Sequence, residues 1–598
     1  MSAVSWMCAQ PRCHQLDMGF SLITPLDRFL DRLISAIDAN IQPNVGLIDT
    51  YTGQATPSDH YGNISAALAL ACNRPDRWTA GYDALQAWLA LPFEKVDHLP
   101  FNRLLLVLLR DIPGEGFLSP AHLLSVNEGI RRCHLRRRYR SNNWSLLAQT
   151  CRLIEASRLR KAAAAKTLST MIQRWTTPKG CFIDFPERPK ASYCTPLAYH
   201  HKALFLASLA CWFCDDPELG WQAKRLSAWL VHCWDSNGYA GGFGRSTHSL
   251  FGDACLMAGL ILLGIDDCDE SSPINALINR LEQQRRPDGF YWLNPAGRDT
   301  ANASWDSYMH LSVYNAWAAA IICTARHLRR QRDVPECLRD AQWTADQPGI
   351  FHDEAAGLAI LRCESGFRAL FSTRGQPPQA TSKAEVDLRY AGGQLYHAST
   401  SPNRALVTPP LKLEKDILMG NPAYAGLIPL FSDGKRIFAL SEFDDVQLCP
   451  IQDGLGMILR GRPRATSIAT SRTALHRLFY ALDWRLTGGH VLRRMALKLD
   501  AHPGVTGQLT ISISSTRLQL NFELLLDVLS DADLTYLNPP GSPTEDISLA
   551  ATEWHRNPCS SIAGNNFPCL PPERIRPGHH RWSATFLLFN RTPEAILG

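Results

Sequence analysis

Between Thr24 and Leu328 apolar residues recur at three- and four-residue spacing, the period of one helix face. The runs are Leu26–Ile41, Tyr61–Cys72, Trp78–Leu91, Phe101–Leu109, Leu118–Cys133 and Trp144–Ser157. They continue through Ala162–Trp175, Pro196–Trp212, Trp221–Trp234, Ser249–Leu263, Ile274–Gln284 and Trp305–Leu328. About twelve helices joined by short loops are predicted. Glycine turns followed by an apolar or aromatic residue punctuate them: Gly46-Leu-Ile-Asp49, Gly114-Glu-Gly-Phe117, Gly180-Cys-Phe-Ile-Asp184, Gly241-Gly-Phe243 and Asp288-Gly-Phe-Tyr-Trp292. Their spacing, roughly 50 to 70 residues, is that of two helices plus connections and marks stacked helix pairs. An open array would call for a longer run and polar end caps; about six pairs closing into an α/α toroid fit better, with the glycine turns gathered at one end.

Near Gln347-Pro348-Gly349 the pattern changes to alternation and turns. Leu358–Cys363, Phe367–Ser372, Leu475–Leu486, Leu509–Ser514 and Trp582–Phe589 read as strands, separated by Gly392-Gly393, Asp433-Gly434 and Gly488-Gly489. Strands without intervening helices imply antiparallel sheets. The expected fold is therefore α+β and multidomain: an irregular segment 1–23, a catalytic α/α toroid 24–345, and an antiparallel β-sandwich 346–598.

Composition narrows the function. With 45% hydrophobic and 20% charged residues the chain has ample core, and a net charge of +5 over 598 residues is too mild to suggest a nucleic-acid binder. Sixteen Trp and fifteen Tyr supply aromatic faces suited to sugar rings, or simply large cores. Many of the eighteen Cys lie inside apolar helical runs (Cys151, Cys211, Cys233, Cys255, Cys323), where a free thiol packs as a small hydrophobe; this usage favours a reducing compartment over a disulfide framework. Cys211 and Cys214 form a C-x-x-C without a second pair, so no metal is expected, and no cofactor. No basic segment precedes a long apolar one at the N-terminus, and no run is long enough to span a bilayer; a cytoplasmic location follows, with Met18 an alternative start.

The candidate chemistry centres on Lys179–Leu209. A glycine turn and a Pro/Lys/Arg-rich loop holding Lys190 and Tyr193 lead into a helix opened by Thr195-Pro196. Its first turns carry Tyr199, His200 and His201, a phenol and two imidazoles of the kind that move protons near neutral pH. Asn142-Asn143-Trp144 opens another helix after a basic run, Arg131–Arg140; one Asn is a natural helix cap, and the other can donate to a substrate carboxylate. The loop Gly241–Ser249 brings Arg245, able to grip a carboxylate in bidentate fashion, and His248. Tyr291 and Trp292 offer rings for a sugar or for packing, and Asp59-His60-Tyr61-Gly62 is a further polar cluster at a helix start, either cap or subsite.

Together these features resemble the polysaccharide lyases that join an α/α toroid to a β-sandwich: the alginate, hyaluronate/chondroitin and heparinase II/III-like enzymes. Asn142-Asn143-Trp144 is similar to their Asn-aromatic segment, Tyr199-His200 to their Tyr-His helix start, and Arg245 to their cleft arginine. The chain departs from them in having Lys190 as the cation nearest the Tyr-His pair, where they place an arginine, and in lacking an export signal. The resemblance implies β-elimination at a uronic acid without a metal. Asn143 and Arg245 would stabilise the enolate, while Tyr199 or Tyr193 and His200 or His201 would divide the base and acid roles. Asn142, Trp144, Lys190, His248, Tyr291 and Trp292 would bind an acidic polysaccharide. Two other readings stay open: a glycoside hydrolase on the same kind of toroid, which needs a carboxylate pair that Asp184, Glu187 and Asp49 do not single out, and a non-catalytic glycan-binding protein of exopolysaccharide metabolism.

Overall fold

A computed structural model describes residues 24–587 apart from 115, 138, 140, 185–195, 242, 245, 247, 266–270, 296–308, 344–346, 376–389, 401–403, 408–426, 467–473, 488–500, 530–533 and 541–569. Twelve helices fill its first half: α1 (Pro25–Ala39), α2 (Gly62–Asn73), α3 (Trp78–Leu89), α4 (Leu99–Asp111), α5 (Pro120–Arg132), α6 (Asn142–Ile154), α7 (Arg158–Trp175), α8 (Leu197–Phe213), α9 (Pro217–Cys233), α10 (Leu250–Leu262), α11 (Pro273–Glu282) and α12 (Leu311–Gln331). Their starts are written in the sequence. Thr24 and Asp27 form a reciprocal capping box, Asp216, Ser119, Ser249 and Ser272 each accept a backbone N–H, and Pro follows several of these caps.

The even-numbered helices form an inner ring. Each packs on the next, and α12 packs back on α2, which closes the circle. α2, α8, α10 and α12 are buried on nearly all sides, as expected of helices apolar all round. The odd-numbered helices lie outside and keep a solvent face. All inner helices therefore run the same way, and the loops entering them gather at one end, the mouth. The loops entering α2, α8, α10 and α12 are longer than any helix-to-helix loop at the opposite end.

Three of the entering loops are copies of one small hairpin. Isolated bridges join Thr176 to Phe182, Trp234 to Ala240 and Arg285 to Tyr291, around Gly180, Gly238 and Gly289, all with positive φ. Each glycine lies against the next outer helix: Gly180 on Arg225 of α9, Gly238 on Ala276 of α11, and Gly289 on Ala36 of α1. At Gly238 an added Cβ would sit 2.4 Å from the Ala276 carbonyl oxygen, so only glycine fits. In the second copy the repeating turn is Asn237-Gly238-Tyr239, a strong turn signal, rather than Gly241-Gly242-Phe243. Gly114–Phe117 also departs from expectation: it leaves an inner helix and lies at the far end of the ring.

The strands are β1 (Ile41–Gln42), β2 (Gly46–Asp49), β3 (Gln54–Ala55), β4 (Gly349–Asp353), β5 (Leu358–Arg362), β6 (Arg368–Ser372), β7 (Leu395–Thr400), β8 (Arg404–Val407), β9 (Leu430–Ser432) and β10 (Ile437–Ala439). They continue with β11 (Asp445–Ile451), β12 (Gly454–Gly461), β13 (Arg464–Ala465), β14 (Val505–Ser514), β15 (Gln519–Val528), β16 (Leu534–Tyr536), β17 (Glu573–Ile575) and β18 (Gly578–Leu587). Beyond the β1–β3 meander they make three antiparallel five-stranded sheets, ordered β4-β5-β6-β7-β8, β11-β12-β14-β15-β18 and β13-β10-β9-β16-β17. The first is a middle layer, and β5 is buried throughout for that reason. Leu358 and Ile360 join the core of the ring, while Ala359 and Leu361 join the core shared with the other sheets.

Side chains lock this layer to the helices. Asp353 accepts from Thr177 Oγ1 (2.6 Å) and Trp229 Nε1 (3.0 Å), and Arg362 donates to the carbonyl of Val231 (2.6 Å). One expectation fails: Leu475–Leu486 is not a strand but part of helix α13 (Ala474–Thr487). Leu475, Leu478, Leu482 and Leu486 lie three and four residues apart, so helical period wins over the apparent alternation.

Candidate active site at the mouth of the ring

The centre of the predicted site turns out to be structural. His200 is fully buried: its Nδ1 accepts from Phe182 N (3.0 Å) and its Nε2 donates to the Leu226 carbonyl (2.9 Å). Both nitrogens tie the Gly180 hairpin to α9, and burial pulls the imidazole down to about 3. Sequence reasoning set it at a cleft; packing puts it in the core. Asn142 and Asn143 are likewise consumed. Asn142 donates to the Ile183 carbonyl (2.7 Å), and Asn143 donates through its backbone (2.9 Å) and side-chain (2.6 Å) nitrogens to Asp184. Asp184 thereby caps α6, and the Oδ1 of Asn143 accepts from Lys202 Nζ (2.9 Å). Lys202 lies over the Phe101 ring at 4.0 Å, and burial drags its amine down to about 7. Tyr199, on the first turn of α8, stays half-exposed. Tyr193, Lys190 and Arg245 lie outside the described residues.

His201 and His248 do come together. With Ser246, Ser249 and Asp253 they line a pocket between α8, α10 and the loop before α10, with room for about one water. Both rings are buried, His248 Nε2 has no hydrogen-bond partner among the described residues, and burial holds both imidazoles below their ordinary range. Around the pocket lie groups that sequence reasoning missed. Arg280 pairs with Asp253 (2.5 Å), donates to the Gly238 carbonyl (2.9 Å) and covers the Tyr239 ring at 4.7 Å. From β7 comes His397, hydrogen-bonded to Asp235, with its ring 5.4 Å from Tyr239 and 5.7 Å from His248. Burial pushes the Asp235 carboxyl upward, but the charge and hydrogen bond of His397 outweigh it and hold it below the carboxylate range. All these groups are closed in beneath the middle sheet.

The other side of the mouth faces solvent and gathers rings from four elements. His60, just before α2, stacks on His98 at 4.3 Å and meets His310 edge-on at 4.9 Å. His98 caps α4 with a left-handed backbone (φ 51), which a side chain adopts only when its surroundings hold it there. Its Nδ1 donates to the Asp59 carbonyl (2.7 Å), so the neutral ring keeps its lone pair on Nε2. His60 Nδ1 bonds the Asp59 carboxylate (2.9 Å). Burial keeps His60 and His310 below their ordinary value of 6.5, with the charge of His98 adding to the effect at His60. Trp144 extends the surface, 5.3 Å from His98 and 5.9 Å from Tyr139, and Trp292 lies 5.9 Å from Tyr51. Tyr291 is instead buried, its hydroxyl donating to Glu282 (2.7 Å). Of these groups, Asp59-His60 drew notice as a polar cluster; His98 and His310, far apart in sequence, carry no shared motif.

No protein-family model matches the chain, and no curated protein matches its sequence. Solved structures resemble it distantly. An α-1,6-mannanase, GH76A, from Salegentibacter sp. HEL1_6 is 9% identical, with 50% of this chain and 99% of that one covered and a TM-score of 0.37. A polysaccharide lyase gives 11% identity, 52% and 99% coverage and 0.34. A possible GH105 member from Klebsiella pneumoniae subsp. pneumoniae MGH 78578 gives 14%, 55% and 100%, and 0.36. Among the described residues no helix is long and apolar enough to cross a membrane, and no group of three His, Cys, Asp or Glu is placed to hold a metal ion.

Proposed function

We propose that the chain is a carbohydrate-processing enzyme that cleaves a uronic-acid-containing polysaccharide by β-elimination at the mouth of the ring. The observation that carries this reading is the group of half-exposed His98 and His310 on buried His60, beside Trp144. Indole and phenol faces suit sugar rings, and neutral imidazoles suit proton transfer. A base, His98 Nε2 or the His310 ring, removes the C5 proton. The C5–H electrons form the C4–C5 double bond as the C4–O4 bond breaks, and a second imidazole or the Tyr199 phenol protonates the departing O4. The inner helices all present their N-termini to this end, and their dipoles favour the substrate carboxylate and the enolate derived from it.

Hydrolysis would need two free carboxylates across the cleft, about 5 to 9.5 Å apart. Three described carboxylates around the mouth are engaged elsewhere. Asp49 accepts from Ser312 N and Oγ (both 2.8 Å), Asp184 caps α6, and Asp288 holds Arg286. That leaves Asp59, bonded to His60, and the exposed Asp97 beside His98.

Incubation with a panel of uronate polymers tests the proposal. Elimination yields the ultraviolet absorbance of a conjugated double bond, and His98→Gln together with His310→Gln abolishes it. New reducing ends without that absorbance would mean hydrolysis. Binding without either product would mean a glycan-binding protein.

A further inference from the structure

Asp59 sits where two neighbouring inner helices begin. It lies shortly before α2, and His98, 39 residues further on, stands directly before α4. Two bonds leave this one residue. Its backbone carbonyl accepts from His98 Nδ1 (2.7 Å), and its carboxylate meets His60 Nδ1 (2.9 Å). The two rings held in this way stack on each other at 4.3 Å, and His310 meets His60 edge-on at 4.9 Å.

A carbonyl or carboxylate oxygen only accepts, so each bond fixes where a ring hydrogen sits. Burial pushes the Asp59 carboxyl upward, but the hydrogen bond and charge of His60 outweigh it and hold it below the carboxylate range, so it is an anion at neutral pH. In their neutral forms both rings therefore carry the hydrogen on Nδ1 and keep the lone pair on Nε2. A free imidazole shifts its hydrogen between the two nitrogens, and only one tautomer offers a base at a given place. His98 also holds its left-handed backbone (φ 51) with the Asp59 carbonyl as a tie.

We propose that Asp59 is the positioning residue of the mouth, selecting the tautomer of His98 through its carbonyl and that of His60 through its carboxylate. The proposal rests on the reading of the mouth as a place of proton transfer, and Asp59 acts in it through the two rings. Its negative charge has a second effect. Burial at His60 and at His310 opposes protonation, and the charge of Asp59 favours it at both. The other described carboxylates near these rings are Asp49, whose charge also reaches His310, and exposed Asp97, next to His98 in the chain.

Histidine-selective ring-15N labelling of the full chain tests this by NMR, with signals assigned through His60→Gln, His98→Gln and His310→Gln. At neutral pH and above, wild-type His98 and His60 should both show the Nδ1–H pattern. Asp59→Asn keeps the carbonyl and the size of the side chain but removes the anion. His98 should then keep its tautomer, whereas His60 should lose its preference, because an amide donates as well as accepts. His60 and His310 should titrate lower than in wild type by about half a pH unit or more. On a polymer that wild type cleaves, the variant should lower kcat about tenfold with KM little changed, and with His310 as the base the acid limb of kcat/KM should follow its titration. Wild-type rings with the hydrogen on Nε2, or mixed between the nitrogens, would overturn the proposal, and so would an Asp59→Asn variant whose histidines titrate unchanged. The wild-type tautomers stay decisive should Asp59→Asn not fold. They are read without substrate, so expected tautomers with every polymer intact would sink the elimination reading alone. Cleavage with the other tautomers would sink the positioning role alone.

Discussion

Lys202 offers the sharpest test of the electrostatics inside the ring. Its amine is fully buried with one hydrogen-bond acceptor, Asn143 Oδ1, and sits at about 7, well below its ordinary 10.5. Holding the proton inside the fold therefore costs on the order of 5 kcal/mol, at about 1.4 kcal/mol per pH unit of that displacement. Because the unfolded chain binds the proton more tightly, the penalty is complete below pH 7 and is relieved as pH rises toward 10.5. Lys202→Met removes the titrating group. It also leaves Asn143 Oδ1 without a donor, a pH-independent loss of about 1–3 kcal/mol. Urea unfolding followed by helical circular dichroism at pH 7, 8 and 9 isolates the pH-dependent part. Wild type should gain about 2 kcal/mol relative to the variant between pH 7 and pH 9. Burial pushes the Cys255 thiol beside Lys202 up to about 12, so it stays protonated across this range with or without the lysine. A wild-type–variant difference that stays flat across this range would show that the amine keeps its proton comfortably, and the account of Lys202 would fail.

Three further outcomes follow from the site. His310 is held below 6.5, so as the base it stays free at neutrality. With His310 as base kcat/KM should be level from neutral pH down to 6.5 and fall only in more acid solution, and an acid limb centred above 6.5 would count against it. Trp144→Ala should raise KM roughly tenfold, about 1.4 kcal/mol of binding, with kcat little changed; steady-state kinetics on the cleaved polymer reads both. His200→Leu strands the Phe182 N–H and the Leu226 carbonyl, so thermal melting should show a loss of about 2–4 kcal/mol while activity per folded molecule persists. A His200 variant that folds as well as wild type yet is inactive would return that residue to the chemistry.

Local rules made the helical half legible. Apolar spacing, caps such as Thr24 and Asp216, and glycines forced by close approach at Gly180, Gly238 and Gly289 are short-range features, and each leaves its mark in neighbouring residues. The antiparallel character of the sheets was readable for the same reason. The misreading of α13 arose because a short apolar run fits two periods, and the three- and four-residue spacing of its leucines was passed over for an apparent alternation.

The site obeyed no such rule. Tyr-His-His looks the same in sequence whether a ring faces solvent or spends both nitrogens on backbone, and at His200 the contacts with Phe182 and Leu226 decided it. His60, His98 and His310 meet because the inner helices bring their first turns to one end, and His397 reaches Asp235 across 162 residues because the middle sheet folds onto the ring. The sequence determined which segments coil, cap and turn, since those preferences act over a few residues. Tertiary packing decided which polar groups meet water and which meet each other, since burial and pairing depend on neighbours hundreds of residues away.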